Sequence, residues 1–526
     1  MKLRLSAPPA PGIVASSGPF KGISPVMGVA TLVLVLSFSA FTVIDVELAG
    51  KKFGAAGAWI AATLDWYYVA VINFTLLFAV CIMLSPYGSL RLGGDDERPE
   101  FSTFSWVAML FSAAIGVGLI FWSIAEPIQH LHDNPFARLA GAAAGSPEAA
   151  RIAMRVTIFH WGLHPWAAYA FTGLAMSYFC YRKGLPLAVR SALHPLIGEH
   201  IYGWPGHAVD LLAIFAIVFG TATALGLGAA QMSTGLGYLS GTDPPSFTPI
   251  LIVAGIGVIA TLSAVSGLHR GIKFLSEWNI RVSAVLLAFL IAAGPTAYLL
   301  VLCASSVGDY LRHLVTMGFW LDPDSASEWQ RRWTIFYWAW WISWAPFVGM
   351  FVARISRGRT LRGFLFGVLV VPTALCTLWL CIFGGTALDI ELRGPGGLIE
   401  AVDADLTSAL YRTLELMGVG LWSWLAAALA TGLIATWFIT SADSMILVVC
   451  TILSLGNPHP PRRYRVAGGV GLAVLTALLV LAGGVVSLQS ASIAAALPFS
   501  IVMLIMAYGL VKSLAREPLS RSSSAD

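Results

Sequence analysis

The chain of 526 residues is 57% hydrophobic and 11% charged, less than half of the roughly 25% charged share with which a soluble domain keeps its surface wetted. Water is therefore not its main solvent, in line with a mean hydropathy of +0.79. The 31 Lys and Arg against 27 Asp and Glu leave a formal charge of +4, with no concentrated basic face for a nucleic acid. Six cysteines lie mostly inside apolar runs without CxxC spacing, so neither a disulfide framework nor a zinc site is implied.

A membrane-crossing helix needs about 20 mainly apolar residues, because the hydrocarbon is about 30 Å thick and a helix rises 1.5 Å per residue. By that measure the sequence predicts twelve spans: 27–47, 61–85, 102–128, 157–181, 206–236, 248–268, 278–303, 330–355, 362–386, 419–451, 466–487 and 491–513. Amphipathic segments near 306–318 and 403–417 are expected on a surface. The opening MKLRLSAPPAPG has no apolar run before its prolines and is not expected to be a signal peptide. With the N-terminus inside, 21 of the 31 Lys and Arg fall on inner segments, which predicts both termini in the cytoplasm. The domain layout expected from this is a tail over 1–26, two additional helices and a linker over 27–101, a five-helix block over 102–303, an outer connection over 304–329, a second five-helix block over 330–513 and a tail over 514–526. Two blocks with an odd number of spans enter from opposite sides, the arrangement of inverted-repeat transporters with a site between broken helices. The expected breaks are the small-residue stretch Ser112 to Gly118 in the third span and the WISWAPF segment around Pro346 in the eighth.

The eighth span carries Trp333, Trp338, Trp340, Trp341 and Trp344 with Phe336, Tyr337 and Phe347. Tryptophans gather at headgroup level, but Trp344 lies 11 residues beyond Trp333, about 16 Å deeper. Tyr337, Trp341 and Trp344 share one helical face, as do Trp340, Trp344 and Phe347. The fourth span adds Trp161, Trp166 and Tyr169, with Pro165 between them. Two ring clusters on separate helices suit a cage for a quaternary ammonium group, whose positive methyl shell meets the negative ring faces and which has no N–H to offer a carboxylate. His160 and His164 stand four apart without a third ligand in the sequence pattern and read as packing or hydrogen-bonding residues. Thr440 and Ser441 place adjacent hydroxyls deep in the tenth span, where a hard cation such as sodium finds ligands and where back-bonding to the helix is the competing role. Asp443 beside them is an intramembrane carboxylate, expensive unless paired or functional. Glu126 and Asp210 fall near span ends, where a charge is cheaper. No cofactor motif and no catalytic Ser/His/Asp or Cys/His set appears, so an enzyme is not expected.

These motifs, GVGLIFWSIAEP at 116–127, FHWGLHPW at 159–166, WTIFYWAWWISWAPFVGMFVARISRGR at 333–359 and TSADS at 440–444, closely resemble the betaine/carnitine/choline transporter family over about residues 25–515. The resemblance implies an all-α polytopic protein of twelve transmembrane helices, with inverted five-helix repeats of the amino-acid and neurotransmitter sodium symporter type and two extra N-terminal helices. It also implies a homotrimer in a bacterial inner membrane, in contact with lipid. By the same resemblance the cage is Trp161, Trp166, Tyr169, Trp341 and Trp344, with Phe347 just beyond it and Trp340 on an outer approach. Ala113, Ala114, Gly116 and Gly118 form the bend that faces the substrate. Sodium, the coupling ion, is held by the Thr440 and Ser441 hydroxyls and backbone carbonyls around Ser112, Ile115 and Trp437, and Arg354 and Arg357 belong to the cytoplasmic gate. The family bend usually reads G-M-G-x-G, where this chain has Ala114, Ile115, Gly116, Val117 and Gly118. The implied function is sodium-coupled import of a small trimethylammonium solute, glycine betaine foremost, with choline uptake by sodium or proton coupling and sodium-independent carnitine or betaine exchange as alternatives.

Overall fold

The computed structural model describes residues 12–114, 116–266, 271–323 and 328–518; of helical residues 111–114, 266 and 271–274 it describes the backbone alone. Among the described residues the regular structure is helical, apart from two isolated bridges, Ala15 with Lys21 and Arg91 with Thr360. The chain opens on α1 (Pro25–Ile44), α2 (Val46–Thr63) and α3 (Asp65–Leu84). Helix α2 fills the segment between the first two predicted spans, and Asp45 starts it by accepting the Leu48 N–H at 2.9 Å, a side-chain N-cap. Next come α4 (Thr103–Ala114), α5 (Val117–His132), α6 (Pro135–Leu139), α7 (Pro147–Trp161), α8 (Leu163–Ser177), α9 (His194–Ile197), α10 (Trp204–Ser240), α11 (Thr248–Ser266) and α12 (Gly271–Ala293). The rest is α13 (Thr296–Gly318), α14 (Phe336–Ile355), α15 (Leu361–Arg393), α16 (Leu398–Ala404), α17 (Ala409–Leu416), α18 (Leu421–Leu453) and α19 (Arg462–Leu514).

The molecule is an all-α polytopic membrane protein, but the expected twelve-span layout with inverted five-helix repeats is corrected. Among the described residues nine helices are long and apolar enough to cross a membrane. The spans read over 102–128 and 157–181 are each cut into two pieces, α4 with α5 and α7 with α8, none of which reaches 18 residues. The spans read over 466–487 and 491–513 belong to one run, α19, whose 53 residues depart from helical angles at Gly483 (φ 159°) and Gly484 (φ 56°), positions that suit glycine because a Cβ disfavours those angles. The break expected around Pro346 is absent: α14 continues through it from Phe336 to Ile355, led in by a π-helical turn over Arg331–Ile335. Gly294 and Pro295 end α12 ahead of the predicted limit at 303, and α13 absorbs the segment read as a short surface helix.

The two cuts in the chain have local causes. Gly116 is extended (φ −154°, ψ −179°) and starts α5. Gly162 (φ −91°, ψ −135°) separates α7 from α8, and the freed Leu163 N–H donates to the Tyr310 hydroxyl of α13 at 2.9 Å. The first turn of a helix leaves such donors without an intrahelical partner, so α13 supplies what the break removes. Helices α5, α7, α8, α14 and α10 pack around one centre, and α14 is buried nearly all round.

Candidate functional site

A narrow cavity of about 50 Å³ lies at that centre, lined by Gly116, Gly118 and Leu119 from α5 and its N-cap, Trp161 at the end of α7, Pro165, Trp166 and Tyr169 from α8, Trp340, Trp341, Trp344 and Val348 from α14, and Cys376 from α15. All five rings assigned to the cage by resemblance therefore meet in one place. Trp161 meets Trp341 edge to face at 4.9 Å, and Trp166 meets Tyr169 in the same way at 5.2 Å. These are preferred aromatic geometries, so the rings fix one another's planes.

Trp340, expected on an outer approach, lines this same cavity. It stacks on Trp341 at 4.9 Å and 14° and donates its Nε1–H to the Gly220 carbonyl at 3.2 Å. The close approach of α5 makes room for it, since a Cβ on Gly118 would run into the Trp340 ring. Phe347 does not line the cavity; it stands behind Trp344, edge-on at 5.6 Å. Ile115 lies outside the described residues, as do the side chains of Ser112, Ala113 and Ala114.

In α18 the Thr440 hydroxyl donates to the Trp437 carbonyl at 3.0 Å, and Ser441 beside it is half-buried. Asp443 is fully buried, with one carboxylate oxygen accepting from the Ser263 hydroxyl at 2.5 Å. Arg354 donates to the Thr451 hydroxyl at 3.0 Å, whereas Arg357 pairs with Glu97 at 2.5 Å, so the two arginines reach different partners.

The largest departure from the sequence reading is behind the cage. Glu126 is wholly buried, and its Oε2 accepts the Trp161 indole N–H at 2.9 Å and the Tyr337 hydroxyl at 2.6 Å. Its Oε1 lies 2.6 Å from His160 Nδ1 and 3.4 Å from His130 Nε2. His160 reaches Thr334 with its other ring nitrogen at 3.0 Å, and its backbone carbonyl accepts the Trp341 indole N–H at 2.9 Å. Glu126, His130 and His160 offer ligand atoms all within 4.8 Å of one another, so His160 does have further polar partners, while His164 instead contacts Asn73 at 3.3 Å and stacks on Trp338. The one signal in the sequence is the i, i+4 spacing of Glu126 and His130, which puts both on one face of α5.

A polytopic helical body built around a narrow, ring-lined cavity is the architecture of a membrane transporter. The family model described as BCCT, betaine/carnitine/choline family transporter, matches residues 25–519, and the chain belongs to that family. It is 42% identical over 460 residues to a probable glycine betaine transporter of Desulfitobacterium hafniense, covering 87% of this chain and 90% of that one. It is also 41% identical to a glycine betaine transporter of Acinetobacter baylyi, over 95% of this chain and 74% of the relative. The crystal structure of MhsT in complex with L-phenylalanine aligns with a TM-score of 0.41 at 14% identity, covering 79% of this chain and 99% of that one. That likeness is too weak to carry the symporter-type inverted repeat, and the repeat expectation is withdrawn. Family membership makes the protein a carrier rather than an enzyme.

Proposed function

We propose that this carrier imports a small trimethylammonium compatible solute, glycine betaine foremost, by sodium-coupled alternating access. The observation that carries the reading is the composition of the cavity wall: Trp161, Trp166, Tyr169, Trp340, Trp341 and Trp344 face one space whose described lining includes no charged side chain. A primary amine in that space would leave N–H groups without partners, whereas a methylated cation gains from every ring face it meets. Trp344 favours a zwitterion over a bare cation, because its buried Nε1–H has no hydrogen-bond partner among the described residues and can meet a carboxylate. The relatives named as glycine betaine transporters support the same choice.

Sodium is assigned to the Thr440 and Ser441 hydroxyls with the carbonyls of Trp437, Ser112 and Ile115. The Thr440 hydroxyl already sits against the Trp437 carbonyl, which brings two of these oxygens together. A bacterial inner-membrane location with both termini cytoplasmic, gating by Arg354 and Arg357, the division at 102–303 and 330–513, and assembly as a homotrimer belong to the same proposal and rest on the basic-residue pattern and the family resemblance.

The test is equilibrium binding of glycine betaine and choline to the purified protein. Trp341→Leu and Trp344→Leu keep the wall apolar and remove a ring, so each is expected to weaken binding about five- to thirtyfold, the worth of one desolvated cation–π contact. Affinity unchanged in both variants would refute the cage.

A further inference from the structure

Glu126 is absent from the cavity wall, yet it is bonded to one of the wall's rings and to a ring that backs another. Its Oε2 takes the N–H of Trp161, a wall ring, and the hydroxyl of Tyr337, which stacks on Trp341 at 5.7 Å. Through His160 it also governs Trp341 itself: the His160 side chain faces Glu126 Oε1 while the His160 carbonyl holds the Trp341 indole N–H. Three aromatic planes are thus set by one buried carboxylate and one histidine.

The donors around Glu126 suit an ionised carboxylate. Two N–H and O–H donors converge on Oε2, which therefore acts only as an acceptor. With the His160 proton placed on Nδ1 toward Oε1, its Nε2 accepts from the Thr334 hydroxyl. This tautomer gives each of these atoms a partner and goes with an anionic Glu126, the charge state on which the proposal rests. An ionised carboxylate at this depth is costly, and such groups in membrane segments are retained for pairing or function. Among the described residues no Lys or Arg pairs with it, and its polar contacts are Trp161, Tyr337, His160 and His130.

We propose that Glu126 is a positioning and specificity residue for the substrate cation, acting through the rings it holds. An indole N–H bonded to an anion pushes electron density into the ring and makes its face a better partner for a methylated cation. The same negative charge, screened little in this buried site, attracts a cation in the cavity and repels a carboxylate there. Glu126 therefore strengthens binding of a simple cation more than binding of a zwitterion. This inference rests on the reading of the cavity as an ammonium cage.

Glu126→Gln separates geometry from charge: the amide oxygen still accepts from Trp161 and Tyr337, and the amide nitrogen donates to His160 Nδ1 once that imidazole carries its own proton on Nε2, which then donates to the Thr334 hydroxyl. The measurement is the dissociation constant of choline and of glycine betaine for wild type and E126Q, with melting temperature recorded alongside. The expected result is a protein of near wild-type melting temperature that loses roughly tenfold in choline affinity and clearly less for betaine, so the ratio of the two constants moves. Equal losses for both solutes, or no loss, would overturn the charge role and leave Glu126 a structural anchor. Should E126Q fail to fold, the isosteric pair E126D and E126N puts the same question, with the wild-type ratio expected only in the charged member. A wild-type protein that binds neither solute would overturn the cage and this inference with it, whereas wild-type binding with an unmoved ratio overturns the inference alone.

Discussion

Trp161 and Trp341 come from helices far apart in sequence and are held by two atoms of one buried unit, a Glu126 oxygen and the His160 carbonyl. The sodium ligands have no such frame. Thr440 bonds its own helix at the Trp437 carbonyl, the common resting state of a hydroxyl in a membrane helix. Replacing Thr440 and Ser441 together by Ala is expected to weaken apparent sodium affinity about tenfold, the worth of losing a hydrogen-bonding contact to a charge, with little change in expression. Initial uptake rates over a sodium series check this, and unchanged sodium dependence would assign both hydroxyls to helix back-bonding. The rings are legible in the sequence because nine aromatics in a single span exceed what an interfacial belt uses. Glu126 is not legible as their anchor. Hydropathy averages a lone carboxylate at a span's end into its neighbours, and its partners His160 and Tyr337 stand 34 and 211 residues away, so only tertiary packing brings the three together. Trp340 is misplaced for a related reason: helical spacing gives the face a ring occupies, but the close approach of Gly118 decides what that face meets.

At the scale of elements, apolar length locates the helices, and glycine decides where they end. The small-residue stretch in the third span does break, with Gly116 extended at the start of α5. Pro346 does not break α14: the N–H it removes and the crowding of its ring against the preceding turn are carried by a helix that is braced nearly all round by buried neighbours. The break at Gly162 is invisible to a hydropathy window, since apolar residues continue on both sides of it. Its stability depends on α13, where Tyr310 receives the Leu163 N–H. Tyr310→Phe keeps the ring and strands that donor, so it is expected to destabilise the protein by about 1–2 kcal/mol and to lower the melting temperature in detergent. An unaltered melting temperature would mean that the freed N–H finds another acceptor.

Across the whole molecule, parts of the chain remote in sequence are tied together by charge at the end where α8 finishes and the C-terminal segment returns. Arg182 donates to Asp95 at 2.7 Å and to Glu517 at 2.8 Å, Lys183 lies 2.6 Å from the other Glu517 oxygen, and the Tyr178 hydroxyl donates to that oxygen at 2.9 Å. The two carboxylates are not equivalent. The Asp95 side chain is 77% exposed and the Glu517 side chain 4%, so the Asp95 pair is screened by water and contributes little, while Glu517 carries the link. Burial pushes the Glu517 carboxyl upward, but hydrogen bonds from Arg182, Lys183 and Tyr178, together with the Arg182 charge, outweigh it and hold the group at about 2 rather than 4.5. A carboxyl depressed on folding binds its proton more readily in the unfolded chain. Its stabilising contribution is therefore complete above the unfolded value of 4.5 and is lost as pH falls from there toward about 2. Glu517→Gln, which keeps the shape and removes the charge, is expected to melt below wild type at neutral pH, with the gap closing across that same window. Melting temperatures of the two proteins measured side by side from pH 7 down toward pH 2 decide the matter. A gap that stays constant to the lowest pH would show that the variant is destabilised by something other than the loss of this titrating charge, and the absence of any gap at neutral pH would show that the charge of Glu517 does not hold the C-terminal segment.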